Sequence, residues 1–343
     1  MEKLKLAIIG CGTVTEIVHL PSVMQSNRFN IVYLIDKDME RTKGLAQKYE
    51  IPHIAINYQQ IFDKEVDAAI VALPNHLHTP VTIDLLQHGI HVLVEKPMAL
   101  ESSECDEMIA VANERESVLA VGMVRRLYNS SQLVKQVLNC GLLGNIVSFD
   151  FREGSISKWA TVSDYVVRKE KAGGGVLTNN GIHVLDLLLW WLGDYKSVKY
   201  YDDAVGGVEA DCTVYMHMKS GVSGIVELSR TRDLRNTCVI QGESGILEVG
   251  SHFDSSISLK LKNKDSMIDW QLRQVDSSDK KIVDVFTRQI DDFADSVLNK
   301  REPFVPGSEG KRSIELIEWC YNVREFLDFP WMITKEPRSK ELA

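Results

Sequence analysis

The sequence predicts an α/β protein of two domains. A doubly wound parallel sheet occupies residues 1–122, and an α+β domain with a large, mostly antiparallel sheet occupies residues 123–343. Three observations carry that prediction. Short apolar strands alternate with helical stretches as far as Gly122, the pattern of right-handed crossovers onto a parallel sheet. Two glycines, Gly10 and Gly12, stand where the first strand runs into the first helix. Beyond Ser197, strand-like runs follow one another through tight turns with no helix between them. At 343 residues the chain is also too long for one typical core.

Leu4–Ile9 is an apolar strand that enters Gly10-Cys11-Gly12-Thr13-Val14-Thr15. This is the phosphate-binding turn of a dinucleotide (Rossmann) fold: Gly10 permits the tight turn, and Gly12 lets the backbone approach a pyrophosphate. The helix that follows points its N–H groups at the negative charge. Thr15 takes the place of the third glycine, which predicts a slightly wider helix–strand spacing. A second strand, Asn30–Ile35, ends in Asp36, 24 residues after Gly12. A carboxylate there accepts both ribose hydroxyls and repels a 2′-phosphate, so NAD is favoured over NADP. Lys37 and Arg41 could still pair with a 2′-phosphate, and Asp36 alone would also suit a plain strand-end turn.

The alternation continues through helix Met39–Tyr49, strand His53–Ala55, helix Tyr58–Phe62, strand Ala68–Leu73, helix Thr79–His88, strand His91–Val94, helix Ser102–Glu114 and strand Val118–Gly122. Pro74-Asn75 and Glu95-Lys96-Pro97 therefore both fall at carboxyl strand ends, the edge where such sheets bind ligands. A Glu-Lys-Pro sequence by itself reads equally well as a surface turn; its place on the edge that carries the Gly10-Gly12 turn makes it a site candidate.

The second domain opens with helix Gln132–Leu138, the turn Gly141–Gly144 and strand Ile146–Arg152, followed by a polar loop from Glu153 to Lys171. Gly173-Gly174-Gly175 then opens a helix holding Asn179, His183 and Asp186. The glycines allow close approach of backbone and ligand. Asn179 and His183 are four apart, hence on one helical face. A neutral imidazole there can take a hydroxyl proton, because its ordinary pKa lies near working pH. The bland alternative is a satisfied core histidine. Asp186 reads as a structural pairing residue, and Leu185, Leu188, Leu189, Trp190 and Leu192 as core. Strands Ser197–Tyr201, Asp211–Met218, Ser223–Arg230, Thr237–Gln241 and Gly245–Val249 read as an antiparallel meander, and helices Val283–Leu298 and Ser313–Phe326 close the chain before a charged tail, Lys335–Ala343.

Composition excludes several classes. No apolar run reaches the roughly 18–20 residues of a membrane span, and the start leads directly into a strand with no signal-peptide pattern. A net charge of −9 with no basic stripe argues against nucleic acid. The six cysteines, at 11, 105, 140, 212, 238 and 320, lack metal spacing and fit reduced thiols in a cytoplasmic protein. No metal is expected.

With these residues in place, the chain resembles the glucose–fructose oxidoreductase and inositol dehydrogenase (Gfo/Idh/MocA) family. The resemblance rests on Gly10-Cys11-Gly12, Asp36, Leu73-Pro74-Asn75 with His78, Gly89-Ile90-His91-Val92, Glu95-Lys96-Pro97, Gly173–Leu177, Asn179-Asn180-Gly181-Ile182-His183 with Asp186, Tyr321 and Pro330-Trp331. It implies a Rossmann domain followed by a second domain whose large, mostly antiparallel sheet often packs against another subunit, giving a homo-dimer or homo-tetramer. It also implies a tightly held nicotinamide cofactor and polyol, sugar or sugar-derivative substrates. It puts Lys96 by the nicotinamide and the reacting carbon and Glu95 on the nicotinamide ribose. Pro74, Asn75 and His78 shape the cofactor pocket, and His183 becomes the acid/base. Inositol dehydrogenase-like members carry an aspartate at the position of Asn179; the Asn-x-Gly-x-His form resembles nucleotide-sugar 3-dehydrogenases acting on UDP-N-acetylglucosaminuronate.

The expectation is an NAD-dependent oxidoreductase that moves hydride between the nicotinamide and a secondary hydroxyl of a sugar, nucleotide sugar or cyclitol. Lys96, His183 and Asn179 are the catalytic candidates. Gly10, Gly12, Thr13, Val14, Asp36, Lys37, Pro74, Asn75, His78, Glu95 and Lys96 are the cofactor candidates, and Arg126, Trp159, Tyr165 and Arg168 are the substrate-pocket candidates. Redox-assisted glycosidic cleavage and a catalytically silent NAD-binding regulator are the alternatives.

Overall fold

The computed structural model describes residues 3–156, 164–262, 267–272 and 279–327. The first sheet is assembled from β1 (Leu4–Ile9), β2 (Phe29–Ile35), β3 (His53–Ala55), β4 (Ala68–Val71), β5 (His91–Val94) and β6 (Leu119–Val121). Between them lie α1 (Leu20–Ser26), α2 (Met39–Tyr49), α3 (His78–Gln87) and α4 (Ser102–Glu114). Strand order is β3-β2-β1-β4-β5-β6, and each pair is parallel. The order reverses between β1 and β4, which opens a crevice at the carboxyl ends of those strands. The central strands are buried on both faces, as helices on both sides require.

The second part contains α5 (Asn129–Asn139), β7 (Ile146–Gly154), α6 (Lys169–Ala172), α7 (Ile182–Leu192), β8 (Tyr195–Asp202), β9 (Asp211–Met218), β10 (Ser223–Ser229), β11 (Thr237–Gly242), β12 (Gly245–Gly250), β13 (Ile257–Lys262) and β14 (Met267–Leu272), then α8 (Ile282–Asn299), α9 (Gly307–Asn322) and β15 (Arg324–Phe326). Nine strands form one sheet in the order β14-β13-β12-β11-β7-β10-β9-β8-β15. The expected simple meander needs correction. β8, β9 and β10 are antiparallel neighbours, but β7 inserts between β10 and β11, parallel to the former and antiparallel to the latter. Alternating apolar residues mark a strand without naming its partner. The closing helix also stops four residues early, and Arg324–Phe326 pairs in parallel with β8.

Inward-facing Phe149, Phe151, Tyr200, Val214, Met216, Val226 and Leu228 pack with α7 and with Val92 and Val94 in one continuous core. The first sheet ends at Val121, yet its packing is not confined to residues 1–122. Ile290, Phe293 and Ala294 of α8 share a core with Leu6, Ile8, Phe29 and Ile31. Phe293 stacks on Phe29 with ring centres 5.9 Å apart, and Arg28 pairs with Asp295.

Candidate active site

The cofactor turn sits at the end of β1. Gly10 has φ +100°, and a Cβ on it would lie 2.1 Å from the Ala72 carbonyl oxygen, so the fold itself demands glycine there. Gly12 differs: a Cβ on it would meet nothing within 4 Å. Its bare backbone leaves a cradle that the protein does not fill, and a dinucleotide pyrophosphate fits it. Thr13 and Val14 are half-buried beside it. Thr15 does more than space helix from strand. It is buried, its hydroxyl donates to Gly10 O at 2.6 Å, and it begins a π-helical turn, Thr15–His19, ahead of α1. The Asp36 carboxylate accepts from Cys11 N at 2.6 Å and Asp38 N at 2.9 Å, which aims it at the turn. Arg41 is engaged by Glu16 at 2.6 Å, while Lys37 is exposed.

At the end of β5, Glu95 and Lys96 turn toward the same edge, and the Lys96-Pro97 peptide is cis. Glu95 Oε1 lies 2.9 Å from Nε2 of His19, a fully buried ring delivered by the π-helical turn. Burial alone would raise the Glu95 carboxyl, but the His19 hydrogen bond and the Lys96 charge outweigh it and hold the group below its usual range. Gly122 makes room: a Cβ there would sit 3.1 Å from Glu95 Oε2. Pro74 heads the short turn Asn75–Leu77 after β4. Asn75 donates to Ala172 O at 2.8 Å, clasping the second domain, and the buried His78 ring stands between Pro97 O (2.7 Å) and Leu73 O (2.8 Å).

Lys96 Nζ crosses the domain boundary and donates to Asn179 O at 2.9 Å and Asn179 Oδ1 at 3.1 Å. Asparagine thus supplies by amide oxygen the lysine anchor for which a carboxylate would serve. Burial lowers the Lys96 ammonium to about 8, with Arg125 and Arg230 adding to the shift against the pull of Glu95. Asn179 lies in a second π-helical turn, Leu177–Gly181, which runs into α7 and His183. His183 is 8% exposed, and its Nδ1 is enclosed without a hydrogen-bond partner. Burial first, then the charges of Lys96 and Arg125, push its pKa well below 6.5. It is a neutral base beside a cation.

The glycine run has a packing cause. A Cβ on Gly175 would lie 1.9 Å from Glu209 O, and one on Gly174 would lie 1.9 Å from the Tyr321 hydroxyl. The close approach is to protein, not ligand. The buried Glu209 carboxylate accepts from Gly175 N, Leu177 N and the Tyr321 hydroxyl, each at 2.9 Å, and so fixes the turn that carries Asn179.

The substrate-pocket candidates divide. Arg126 needs correction. It is 2% exposed and paired with Asp186 at 2.8 Å and Glu309 at 2.9 Å, so its guanidinium is spent inside the protein. Asp186 is structural, as expected. Arg168 is exposed and paired with Asp164. Tyr165 is half-buried near Glu95: burial, and then that carboxylate, raise its phenol. Trp159 and Pro330-Trp331 lie outside the described residues. Sequence reasoning missed Arg125, whose guanidinium grips Glu153 at 2.6 and 2.8 Å beside Lys96 and His183. It also missed His19, Glu209 and Arg230. The adjacent pair Arg125-Arg126 was the visible signal, and only the short 3₁₀ turn Val124–Leu127 decides which of the two faces the site.

Comparison with known proteins identifies the family. The family described as "Oxidoreductase family, NAD-binding Rossmann fold" matches residues 4–123, and "Oxidoreductase family, C-terminal alpha/beta domain" matches residues 135–325. D-glucoside 3-dehydrogenase of Escherichia coli (strain K12) is 29% identical over 215 residues, covering 61% of this chain and 60% of that protein. The chain therefore spans about three-fifths of that relative's length. Inositol 2-dehydrogenase of Salmonella typhimurium is 25% identical over 299 residues, 83% of this chain and 85% of the relative. A levoglucosan dehydrogenase solved in complex with NADH shares the fold, with a TM-score of 0.85 at 17% identity over 94% of this chain and 97% of that one. Matched across both of its parts, the chain belongs to the GFO/IDH/MocA oxidoreductase family, with an NAD-binding Rossmann domain followed by the family's C-terminal α/β domain.

Proposed function

We propose that the protein is an NAD-dependent dehydrogenase acting on a secondary hydroxyl of a sugar, nucleotide sugar or cyclitol. One observation carries the reading: at the carboxyl edge of the first sheet, an anchored Lys96 ammonium stands beside the neutral, incompletely bonded imidazole of His183. The relatives named for glucoside and inositol dehydrogenation support the substrate class.

NAD, when bound, supplies the hydride acceptor. Gly10, Gly12, Thr13 and Val14 would hold its pyrophosphate and Asp36 its adenosine ribose, while Glu95, fixed by His19, would meet the nicotinamide ribose. Pro74, Asn75 and His78 wall the pocket. Lys96, protonated below about 8, donates to the carbinol oxygen and stabilises the negative charge that develops there. His183 takes the hydroxyl proton: burial, and then the charges of Lys96 and Arg125, keep its ring neutral and its lone pair free. Asn179 holds the lysine in place, and Tyr165 borders the substrate.

The reading extends to a cytoplasmic homo-dimer or homo-tetramer. Its supports are the free cysteines and the exposed Tyr215 on the outer face of the second sheet.

His183→Ala and Lys96→Ala should each lose at least about 10²-fold in kcat, the usual contribution of a positioned acid or base, while NADH binding followed by fluorescence stays within about threefold. Sugar oxidation at wild-type rate in both variants would remove the assignment.

A further inference from the structure

Among the described residues, hydride transfer leaves one cation of the site without a task. Arg230 follows β10, is half-buried, and donates from Nη2 to Gly175 O at 3.4 Å. No described carboxylate forms an ion pair with it, whereas nearby Arg232 pairs with Asp211 and Glu227, and Arg235 with Asp150. Its nearest acid in charge, Glu209, is committed to Gly175 N, Leu177 N and Tyr321. With one weak carbonyl contact, this half-buried guanidinium keeps most of its five donors open to other acceptors.

Its position is tied to the catalytic lysine. Gly175 O accepts from Arg230 Nη2 and from Asn179 N at 3.0 Å, and Asn179 O in turn accepts Lys96 Nζ at 2.9 Å. The two cationic heads therefore bind carbonyls one helical turn apart, about 5–6 Å. From the other side, β7 runs parallel to β10 with Glu153 opposite Leu228, which brings the Arg125–Glu153 pair to the same edge. Glu153 pairs with Arg125 and Glu95 with His19, so among the described residues Lys96 and Arg230 are the cations at this edge that form no ion pair. Burial, opposed in part by Glu209, lowers the Arg230 pKa, as expected for a charge that lacks its counter-ion.

We propose that Arg230 is a substrate-binding residue that pairs with an anionic group on the sugar, a carboxylate or a phosphate ester, so that the preferred substrates are acidic sugars. The inference rests on the dehydrogenase reading and narrows its substrate class. A guanidinium is built for such groups, because its planar fork meets two oxygens of a carboxylate or phosphate at once.

The test measures binding and turnover separately. D-glucuronate, D-glucose 6-phosphate, UDP-glucose and D-glucose are titrated against the NADH-loaded protein, and each is then offered with NAD. At least one of the three anions should bind about tenfold or more tighter than D-glucose, as a charge-assisted hydrogen bond provides. Which one does so separates a carboxylate from a monoester or a nucleotide diphosphate. Raised salt should narrow the preference, Arg230→Gln should abolish it, and Arg230→Lys should restore part of it. The lysine variant also keeps the test decisive if the glutamine variant fails to fold. No anion preference in the wild type, or an unchanged preference in Arg230→Gln, overturns the proposal. An acid sugar that binds through Arg230 while no sugar reduces NAD leaves the anion site standing and removes the dehydrogenase reading. Oxidation of sugars with no role for Arg230 does the reverse.

Discussion

Burial sets the working range of both Lys96 and His183, and the Lys96 charge lowers the histidine further. The lysine must be charged to serve the carbinol oxygen, and it is charged below about 8. The histidine must be neutral, and it is neutral above a pKa that lies well under 6.5. The profile of kcat/KM should therefore rise on an acid limb below pH 6.5, hold a plateau, and fall as pH passes about 8. In Lys96→Arg the guanidinium keeps its charge across this range, so the alkaline limb should move up by more than about one unit while the acid limb stays. An alkaline limb that remains near 8 would assign it to another group. Individual residues were unequally legible in the sequence. Gly12, Asp36, Lys96 and His183 stand in motifs whose chemistry makes them site candidates. Arg230 stands in none, and only the fold shows that no described carboxylate forms an ion pair with it.

Among the elements, the two π-helical turns carry the site. Thr15–His19 delivers His19 to Glu95, and Leu177–Gly181 delivers Asn179 to Lys96. Such turns cluster at functional positions, and the 3.6-residue period used to read helices passes over them. Helix α7 is then locked by the buried Arg126, which reaches Asp186 of α7 and Glu309 of α9. Asp186→Ala should lower stability by about 3–5 kcal/mol, the cost of stranding a buried charge. Chemical denaturation would read it, and a loss below about 1 kcal/mol would mean that Glu309 alone suffices for Arg126. Elements of the first sheet were legible because its strands are bounded by turn residues and all its pairs except β1–β4 join consecutive strands. The insertion of β7 between β10 and β11 was not, since that pairing is decided by distant packing.

For the whole molecule, the outer face of the nine-stranded sheet is exposed among the described residues. Tyr215 is 46% exposed there and meets Tyr201 edge to face, with Asp150, Arg152 and Glu227 paired around them. Sedimentation velocity should give two or four times the chain mass of 38.7 kDa, and Tyr215→Glu should weaken assembly at least about tenfold, as for a charge placed in an interface core. A monomer at tens of micromolar, roughly the range of weak association, would assign that face another role.

Helix α8 has a consequence for how the chain is made. Ser22 of α1 donates to the Val283 carbonyl, 261 residues later, and Phe29 waits for Phe293. At about 5–20 residues per second, synthesis leaves that side of the nucleotide-binding sheet bare for roughly 13–50 s. The first domain to emerge is thus among the last to close.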